Sequence, residues 1–284
     1  MRLTFEKFHG AGNDFVMLDD RAGDYQNITA AQIQLLCDRH MGIGADGLIL
    51  IRLNADSDFT MVYYNADGQP SSMCGNGGRC AVAFAHKLRM VDQHTQFMAV
   101  DGLHHASYRT DGQVRLAMQD VAGLDRMGEA VVTNTGSPHY VLVKTEIDRL
   151  DMYREGSSIR YSPPFKQEGI NVNFMEQIAS DRFKIRTYER GVENETLACG
   201  TGAVAGALAM HFLGYTTHNK IAIQALGGLL SIDFKKRHRA IQTFICRDPR
   251  NMCFPGVSCF YEIRKSNFTR PRTGRHRHFV YRRK

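Results

Sequence analysis

The stretch Cys74-Gly-Asn-Gly-Gly-Arg-Cys80 and its shorter echo Cys199-Gly-Thr-Gly-Ala203 determine how this sequence is interpreted. In each, a cysteine precedes a Gly-x-Gly turn, and the turn leads into small apolar residues, at 81–88 and 204–210, typical of a buried helix. A thiol at a helix N-terminus lies in positive partial charge, which lowers its pKa and favours the thiolate. The N–H groups of such a turn also bind anions. The sequence therefore predicts two thiols that face one anionic substrate.

Each cysteine motif lies inside a longer pattern that occurs twice. Predicted strands, a polar loop, the Cys-Gly-x-Gly turn, the apolar helix and a closing hairpin follow one another in both halves, and the two cysteines are 125 residues apart. A helix that is apolar on all sides must be buried, so each half is expected to wrap its strands around its helix. This predicts a mixed α/β fold of two pseudo-symmetric domains, 1–120 and 121–234, each with a mixed or antiparallel sheet around a central helix.

Composition sets the broad class of the protein. The 284 residues are 43% hydrophobic and 10% aromatic, which is typical of a globular chain. No stretch has the length and apolar character of a secretory signal or a membrane helix. The 7 cysteines, several of them beside glycines, do not resemble a disulfide framework. We therefore expect a cytoplasmic protein with reduced thiols and no membrane partner.

The net charge of +7 is unevenly distributed. Residues 235–284 hold 15 of the 36 Lys and Arg residues but only Asp248 and Glu262 as acidic residues, so that residues 1–234 carry a net charge of −6. A basic tail is one signature of nucleic-acid binding, although this one contains no recognisable binding motif. The prediction is therefore no nucleic-acid partner, with salt-dependent DNA binding as the alternative that truncation at Asp233 would test.

Other residues of chemical interest each have an ordinary structural interpretation. Cys37 and Cys80 fall within predicted helices and are expected to serve packing, and the cysteine spacing argues against a zinc site. His139, which follows a proline in a glycine turn, fits either a group that tunes a thiol or a structural hydrogen bond. The adjacent Glu189 and Arg190 fit either recognition of an ammonium and a carboxylate or a solvated surface pair.

Five linked motifs together resemble the diaminopimelate epimerase family. They are Gly10-Ala-Gly-Asn-Asp-Phe15, Gly42-Ile-Gly-Ala-Asp-Gly47, Met73-Cys-Gly-Asn-Gly-Gly-Arg-Cys80, Gly169-Ile-Asn-Val-Asn-Phe174, and Thr187-Tyr-Glu-Arg-Gly-Val192 with Ala198-Cys-Gly-Thr-Gly202. They occur in order from residue 1 to about residue 234. The resemblance implies an enzyme, an isomerase without cofactor or metal, that interconverts LL- and meso-2,6-diaminopimelate for lysine and peptidoglycan synthesis. It also implies a homodimer.

The resemblance assigns a role to each site residue. Cys74 and Cys199 become the thiol and thiolate that exchange a proton with the substrate α-carbon, assisted by His139 and Glu189. Backbone N–H groups at the two helix N-termini become the carboxylate site. Those backbone groups belong to Gly75, Asn76, Gly200 and Thr201. Among the side chains, Asn13 is expected near the reacting centre. The distal amino-acid group of the substrate is expected to contact the side chains of Asn65, Asn173, Glu189 and Arg190.

The C-terminal segment departs from the family. Members end with a strand and a motif of the kind LxGPAxxVFxG that returns to the first domain, and residues 241–284 contain no such motif. When residues 240–256 are back-translated and read one nucleotide earlier, suitable codons give HTNIYLQGPAKYVFPG, which restores the motif. We infer a frameshift near residues 235–240. The tail at 235–284 is then expected to be disordered and to leave the edge of a sheet exposed.

Two further functions stay open at this point. One is another cofactor-independent racemase, such as one that acts on proline, although Glu189, Arg190 and Asn173 favour a substrate with a second polar end. The other is an inactive product that the frameshift prevents from folding.

Overall fold

The computed structural model describes residues 2–71, 73–237, 240–247 and 258–262. Its helices are α1 (Ala30–Cys37), α2 (Gly75–Lys87), α3 (Met152–Arg160) and α4 (Gly200–Phe212), with a 3₁₀ turn at Ile147–Arg149. The strands of the first half are β1 (Arg2–Gly10), β2 (Asn13–Asp19), β3 (Gly47–Arg52), β4 (Phe59–Asn65), β5 (His94–Ala99), β6 (Gly102–Tyr108) and β7 (Val114–Ala117). Those that follow are β8 (Leu124–Met127), β9 (Ala130–Asn134), β10 (Pro138–Val143), β11 (Asn171–Ala179), β12 (Arg182–Glu189), β13 (Asn194–Thr196), β14 (Lys220–Ala225), β15 (Gly228–Arg237), β16 (Ala240–Arg247) and β17 (Ser258–Glu262).

The two halves share one strand pattern. In the first half β1 and β2 are antiparallel, β3 runs parallel to β2, β4 antiparallel to β3, and β5 parallel to β4, followed by the antiparallel β6 and β7. In the second half β9, β10, β11, β12, β14, β15 and β16 repeat the same sequence of directions. The halves join where β16 pairs with β7. The internal repeat and the mixed α/β fold predicted from the sequence are confirmed.

Each half is built around a buried helix. The first eleven residues of α2 are buried apart from Ala83, and α4 is buried from Gly202 to Met210. One apolar core contains residues from both helices, such as Val82 and Val204, together with strand residues such as Phe15 and Ile185. Burial of these helices follows from their small apolar side chains, which let the surrounding strands approach closely. The predicted boundary at residues 120 and 121 falls between β7 and β8.

Helix α1 begins at a capping pair that is encoded locally in the sequence. Thr29 caps α1, since its hydroxyl accepts from the Gln32 N–H at 3.3 Å while the Gln32 side chain accepts from the Thr29 N–H at 2.8 Å. This reciprocal pair is a capping box, which satisfies two N–H groups that have no partner within the helix.

The structure corrects the expectation for the C-terminal segment in two places. Strand β16 pairs with β15 along its whole length, and its Thr243 and Ile245 are fully buried. Strand β17 pairs antiparallel with β1 from Arg2 to Glu6, so the expected exposed edge is covered there. Residues 241–245 contain the β-branched and aromatic residues that pack well in a sheet. Residues 235–237 of the tail belong to β15, and residues 238–239, 248–257 and 263–284 lie outside the described residues.

Candidate active site

The two cysteine motifs meet at the N-termini of the two buried helices. Cys74 is the N-cap residue of α2 and Cys199 is the N-cap residue of α4, both with extended backbone conformation. A Cβ atom placed on Gly75 would lie 3.9 Å from the Gly200 Cα, and one on Gly200 would lie 3.6 Å from the Gly75 Cα. The first turns of the two helices are therefore in contact, and the fold brings together the two thiols that the sequence pairs.

Cys199 lies in a chain of polar groups from the second half. Its Sγ accepts from the Gly202 N–H at 3.4 Å and lies 3.4 Å from the Thr201 hydroxyl. That hydroxyl is 2.9 Å from Nε2 of His139, the second residue of β10. His139 therefore reaches the sulfur through Thr201 and does not contact it directly.

His139 is a neutral imidazole in the folded protein. Its side chain is fully buried, and this burial, with the nearby Arg190 guanidinium, lowers its pKa to about 3. Charging an imidazole without water costs more than the surrounding hydrogen bonds return. At neutral pH His139 can accept a hydrogen bond at one ring nitrogen and donate at the other.

Cys74 has different neighbours. Its Sγ lies 3.6 Å from Oδ1 of Asn13, at the start of β2. Asn13 in turn donates from Nδ2 to Oδ2 of Asp46 at 2.7 Å, and Arg39 joins Asp46 to Asp14 through hydrogen bonds of 2.6 and 2.8 Å. The structure therefore places Asn13 beside Cys74, and its role near a reacting substrate stays a prediction.

Burial and charge act against ionisation of either thiol in the substrate-free protein. Burial raises the pKa of Cys74 and of Cys199, and the Glu189 carboxylate raises both further. Backbone N–H groups of Asn76 and Gly77 lower the Cys74 pKa, and the Thr201 hydroxyl and Gly202 N–H lower the Cys199 pKa, but these contributions are smaller. Desolvation thus acts against the lowering of the thiol pKa that the sequence predicts from the helix N-termini.

Glu189 lies close enough to act on both thiols. Burial raises the pKa of its carboxyl group, while the Thr196 hydroxyl, which donates to Oε2 at 2.8 Å, lowers it. Glu189 ends β12 and Thr196 ends β13, so the antiparallel pairing of these strands holds the carboxylate in place. A carboxyl group with a raised pKa beside two thiols is suited to exchange protons with them.

Asn76 connects the two halves through its side chain. It is buried, donates from Nδ2 to the Ala198 carbonyl at 3.1 Å, and accepts from Arg79 at 2.6 Å. Its side chain is therefore committed to the protein, and only its backbone N–H fits the predicted carboxylate site.

The predicted distal contacts separate into two groups. Asn65 ends β4 and is half-buried, opposite Gly47 of β3. Arg190 is exposed at the end of β12, and its guanidinium donates to the Glu168 carbonyl at 3.0 Å. Asn173, by contrast, is fully buried: its Oδ1 accepts from Thr187 at 3.0 Å and its Nδ2 lies 3.1 Å from Nδ1 of His139. Asn173 therefore lies behind the site and contacts His139.

Asn171 is the residue that sequence reasoning missed. It begins β11, accepts from the Arg190 N–H at 2.9 Å, and donates to the Ser137 hydroxyl at 2.8 Å. Only its spacing of two residues from Asn173 on one strand signals this position, since residues i and i+2 share a face.

Solved structures share this fold. A phenazine biosynthesis protein of the PhzF family from Bacillus anthracis aligns with a TM-score of 0.68 at 10% identity, over 87% of this chain and 96% of that one. A hydroxyproline epimerase from Agrobacterium vitis aligns with a TM-score of 0.60 at 12% identity, over 87% of this chain and 89% of that one.

Sequence relatives are more specific. A diaminopimelate epimerase of Flavobacterium psychrophilum is 46% identical over 252 residues, which cover 89% of this chain and 98% of the relative. A diaminopimelate epimerase of Chlorobaculum tepidum is 44% identical over 226 residues, 77% of this chain and 88% of the relative. Fold and relatives together define an isomerase of the epimerase class. The chain belongs to the diaminopimelate epimerase family, whose model matches residues 5–122 and 131–245, and the resemblance in the motifs is confirmed.

Among the described residues, no helix has both the length and the apolar character required to cross a bilayer.

Proposed function

We propose that this protein interconverts LL- and meso-2,6-diaminopimelate by proton exchange at one α-carbon, without a cofactor, in the synthesis of lysine and peptidoglycan precursors. The observation that carries the proposal is the contact between the first turns of α2 and α4, with Cys74 and Cys199 at their N-caps. Family membership supports the substrate.

The chemistry requires a base on one face of the α-carbon and an acid on the other. One cysteine, as the thiolate, forms a new S–H bond to the α-hydrogen, and the electrons of the broken C–H bond stay on the substrate as a carbanion. The other cysteine gives up its S–H proton to the opposite face of that carbon. The configuration is inverted, and the thiol and thiolate have exchanged roles.

Anionic charge is held at the helix N-termini. Backbone N–H groups of Gly75, Asn76, Gly200 and Thr201 are the donors that fit a carboxylate in this position, and they oppose the charge that develops on it in the transition state. Asn13 lies beside the reacting centre through its contact with Cys74. Two facing dipoles thus stabilise the same carboxylate.

The distal amino-acid group is bound at the end of β12. Arg190 and Asn65 suit its carboxylate, and Glu189 suits its ammonium. Asn171, which hydrogen-bonds both Ser137 and the Arg190 backbone, takes the place that the resemblance assigned to Asn173. We assign Asn173 to positioning His139. A substrate with a second charged end is thereby favoured over a simple amino acid.

Proton transfer is assisted on both sides of the site. Glu189 acts on both sulfurs, and His139 acts on Cys199 through Thr201. A cytoplasmic location, expected from the cysteine pattern, and a homodimer, expected from the family, stay predictions.

The test is incubation with LL-diaminopimelate in D₂O without pyridoxal phosphate, with α-deuterium followed by NMR and meso product by chiral chromatography. We expect deuterium uptake and epimerisation, both lost in Cys74→Ala and in Cys199→Ala. Cys37→Ala is the matched control, because burial raises the pKa of that thiol to about 12 and it packs behind β3.

Three outcomes would contradict the proposal. A folded wild-type protein that exchanges no deuterium would overturn the substrate assignment. Activity on L-proline in place of diaminopimelate would support the other racemase class. Full activity in either site variant would overturn the two-thiol mechanism.

A further inference from the structure

The hydrogen-bond direction at Cys199 can be traced from a buried amide. Nδ2 of Asn173 lies 3.2 Å from the Tyr140 carbonyl and 3.4 Å from the Asn171 carbonyl. Carbonyl oxygens only accept hydrogen bonds, so the NH₂ group of Asn173 must point this way. The same Nδ2 is 3.1 Å from Nδ1 of His139, which is therefore an acceptor without a hydrogen.

The tautomer of His139 decides which atoms donate between His139, Thr201 and Cys199. A neutral imidazole with a bare Nδ1 carries its hydrogen on Nε2, and that hydrogen is donated to the Thr201 hydroxyl oxygen at 2.9 Å. The one hydroxyl hydrogen of Thr201 is left to point at Sγ of Cys199, 3.4 Å away. The Gly202 N–H donates to the same sulfur. The Cys199 sulfur thus receives two hydrogen bonds.

The opposite direction holds at Cys74. The Asp46 carboxylate only accepts, so Nδ2 of Asn13 faces it at 2.7 Å. The Asn13 carbonyl oxygen therefore faces Sγ of Cys74 at 3.6 Å, and this oxygen also only accepts. The favourable arrangement is an S–H group on Cys74 that donates to Asn13, whereas a thiolate would place two acceptors against each other.

The helix N-termini supply backbone donors to both sulfurs. The Cys199 side chain caps α4 by accepting from Gly202, and the backbone N–H groups of Gly77 and Asn76 lower the pKa of Cys74. The difference between the two cysteines lies in the neighbouring side chains. Thr201 occupies the second position after its cysteine, and the corresponding residue after Cys74 is Asn76, whose side chain is bound to Ala198.

Charged groups do not impose this difference. Glu189 opposes ionisation of both thiols, and Arg79 favours a charged Cys74. Arg190 lies beside His139, and the half-buried Tyr63 lies near Cys74. The charged groups therefore do not favour ionisation of Cys199, and the order inferred below rests on the direction of the neutral hydrogen bonds.

We propose that Cys199 is the resting base and Cys74 the resting acid of the pair, and that the Thr201 side chain is the donor that sets this order. Asn173 and His139 are positioning residues for Thr201, and Asp46 is the positioning residue for Asn13. The terms base and acid rest on the proposed function, but the order of ionisation is a property of the substrate-free protein.

The experiment measures thiol ionisation without turnover. Substrate-free protein is alkylated with iodoacetamide between pH 6 and pH 10, and the rates at Cys74 and Cys199 are obtained separately by peptide mass spectrometry. We expect the Cys199 rate to reach its half-maximum at a lower pH than the Cys74 rate. Thr201→Val is expected to reduce the Cys199 rate at pH 7 about tenfold, the effect of raising a thiol pKa by one unit.

Two variants separate this role from a structural one. Thr201→Ser keeps the hydroxyl and is expected to keep the wild-type order and rates within about twofold, as hydroxyl donors are equivalent in this role. Thr135→Val removes a hydroxyl that donates to the Thr201 backbone carbonyl at 2.9 Å without contacting the sulfur, and is expected to leave the Cys199 midpoint unchanged.

A lower midpoint at Cys74 than at Cys199 would overturn the assignment. So would equal shifts of the Cys199 midpoint in the valine and serine variants of Thr201, each with wild-type thermal unfolding. Epimerisation is assayed separately, so that the expected alkylation order in a protein inactive on diaminopimelate would leave this inference standing while the proposed function fails.

Discussion

The side chain of Asn76 donates to the backbone carbonyl of Ala198 at 3.1 Å, and so ties the first turn of α2 to the residue that precedes Cys199. The bond joins residues that are 122 positions apart in the sequence. It holds the two half-sites at a fixed separation through a side chain whose polar atoms are bonded to the protein itself.

Asn76→Ala is expected to destabilise the protein and misalign the site. The change leaves the buried Ala198 carbonyl without this donor, which costs about 1–3 kcal/mol of unfolding free energy. Urea unfolding measures this loss, and kcat is expected to fall because the separation of the thiols is no longer fixed. Asn194→Ala, at an exposed asparagine of β13, is the control. Unchanged stability and kcat in Asn76→Ala would contradict the role given to this bond.

Gly202→Ala is expected to disturb the groups behind Cys199. A Cβ atom at this position would lie 2.6 Å from Oδ1 of Asn173, which is closer than van der Waals contact permits. Asn173 must move, and His139 loses the amide that holds its ring. We expect kcat to fall at least about tenfold, the effect of a small misplacement of catalytic groups.

The control for this substitution is Gly123→Ala, where a Cβ atom meets nothing within 4 Å. Circular dichroism shows whether Gly202→Ala still folds. A folded variant with wild-type kcat would show that the position of Asn173 does not matter for the reaction.

The sequence contained the main elements of the fold because their signals are local. The capping pair of Thr29 and Gln32 lies within one helical turn, and the small apolar runs after Cys74 and Cys199 predict buried helices without knowledge of their surroundings. Helix α3 was missed because its segment is short and polar, with three charged residues, two serines and a glycine among its nine residues.

The site was harder to predict where it depends on strand pairing. Asn171 and Asn173 lie two residues apart on β11. The parallel pairing with β10 sets Asn171 opposite His139 and Asn173 opposite Val141. Asp46 contacts Asn13 only because β2 and β3 run parallel side by side. No local pattern contains these relationships, and a one-residue change in register would turn both asparagines to the opposite face of the sheet.

The frameshift inferred near residues 235–240 has a direct test. We expect genomic DNA across codons 230–245 to show that a one-nucleotide change of frame restores the ending HTNIYLQGPAKYVFPG. A variant with that ending is expected to unfold at a higher temperature, because the resemblance implies an ending that returns to the first domain and packs there. Genomic DNA with one intact reading frame through these codons would contradict the frameshift.

The burial of His139 predicts how stability depends on pH. Its folded-state pKa is about 3, against an ordinary value of 6.5, so between these values the unfolded chain binds a proton that the folded protein does not. His139 therefore contributes stability that is fully present above about pH 6.5 and is lost as the pH falls toward 3. The slope in this window is at most about 1.4 kcal/mol per pH unit.

The measurement compares the unfolding free energy of wild type and His139→Gln by urea titration from pH 7 to pH 4.5. Asp14, whose pKa is lowered to about 2, adds a slope of the same sign at lower pH, and Glu189, whose pKa is raised by burial, adds one of opposite sign. Both groups are present in both proteins, so the difference between the two curves isolates His139. We expect wild type to lose stability more steeply than His139→Gln as the pH falls, and His40→Gln, at an exposed histidine, to follow wild type. Parallel curves for wild type and His139→Gln would show that His139 is not held neutral.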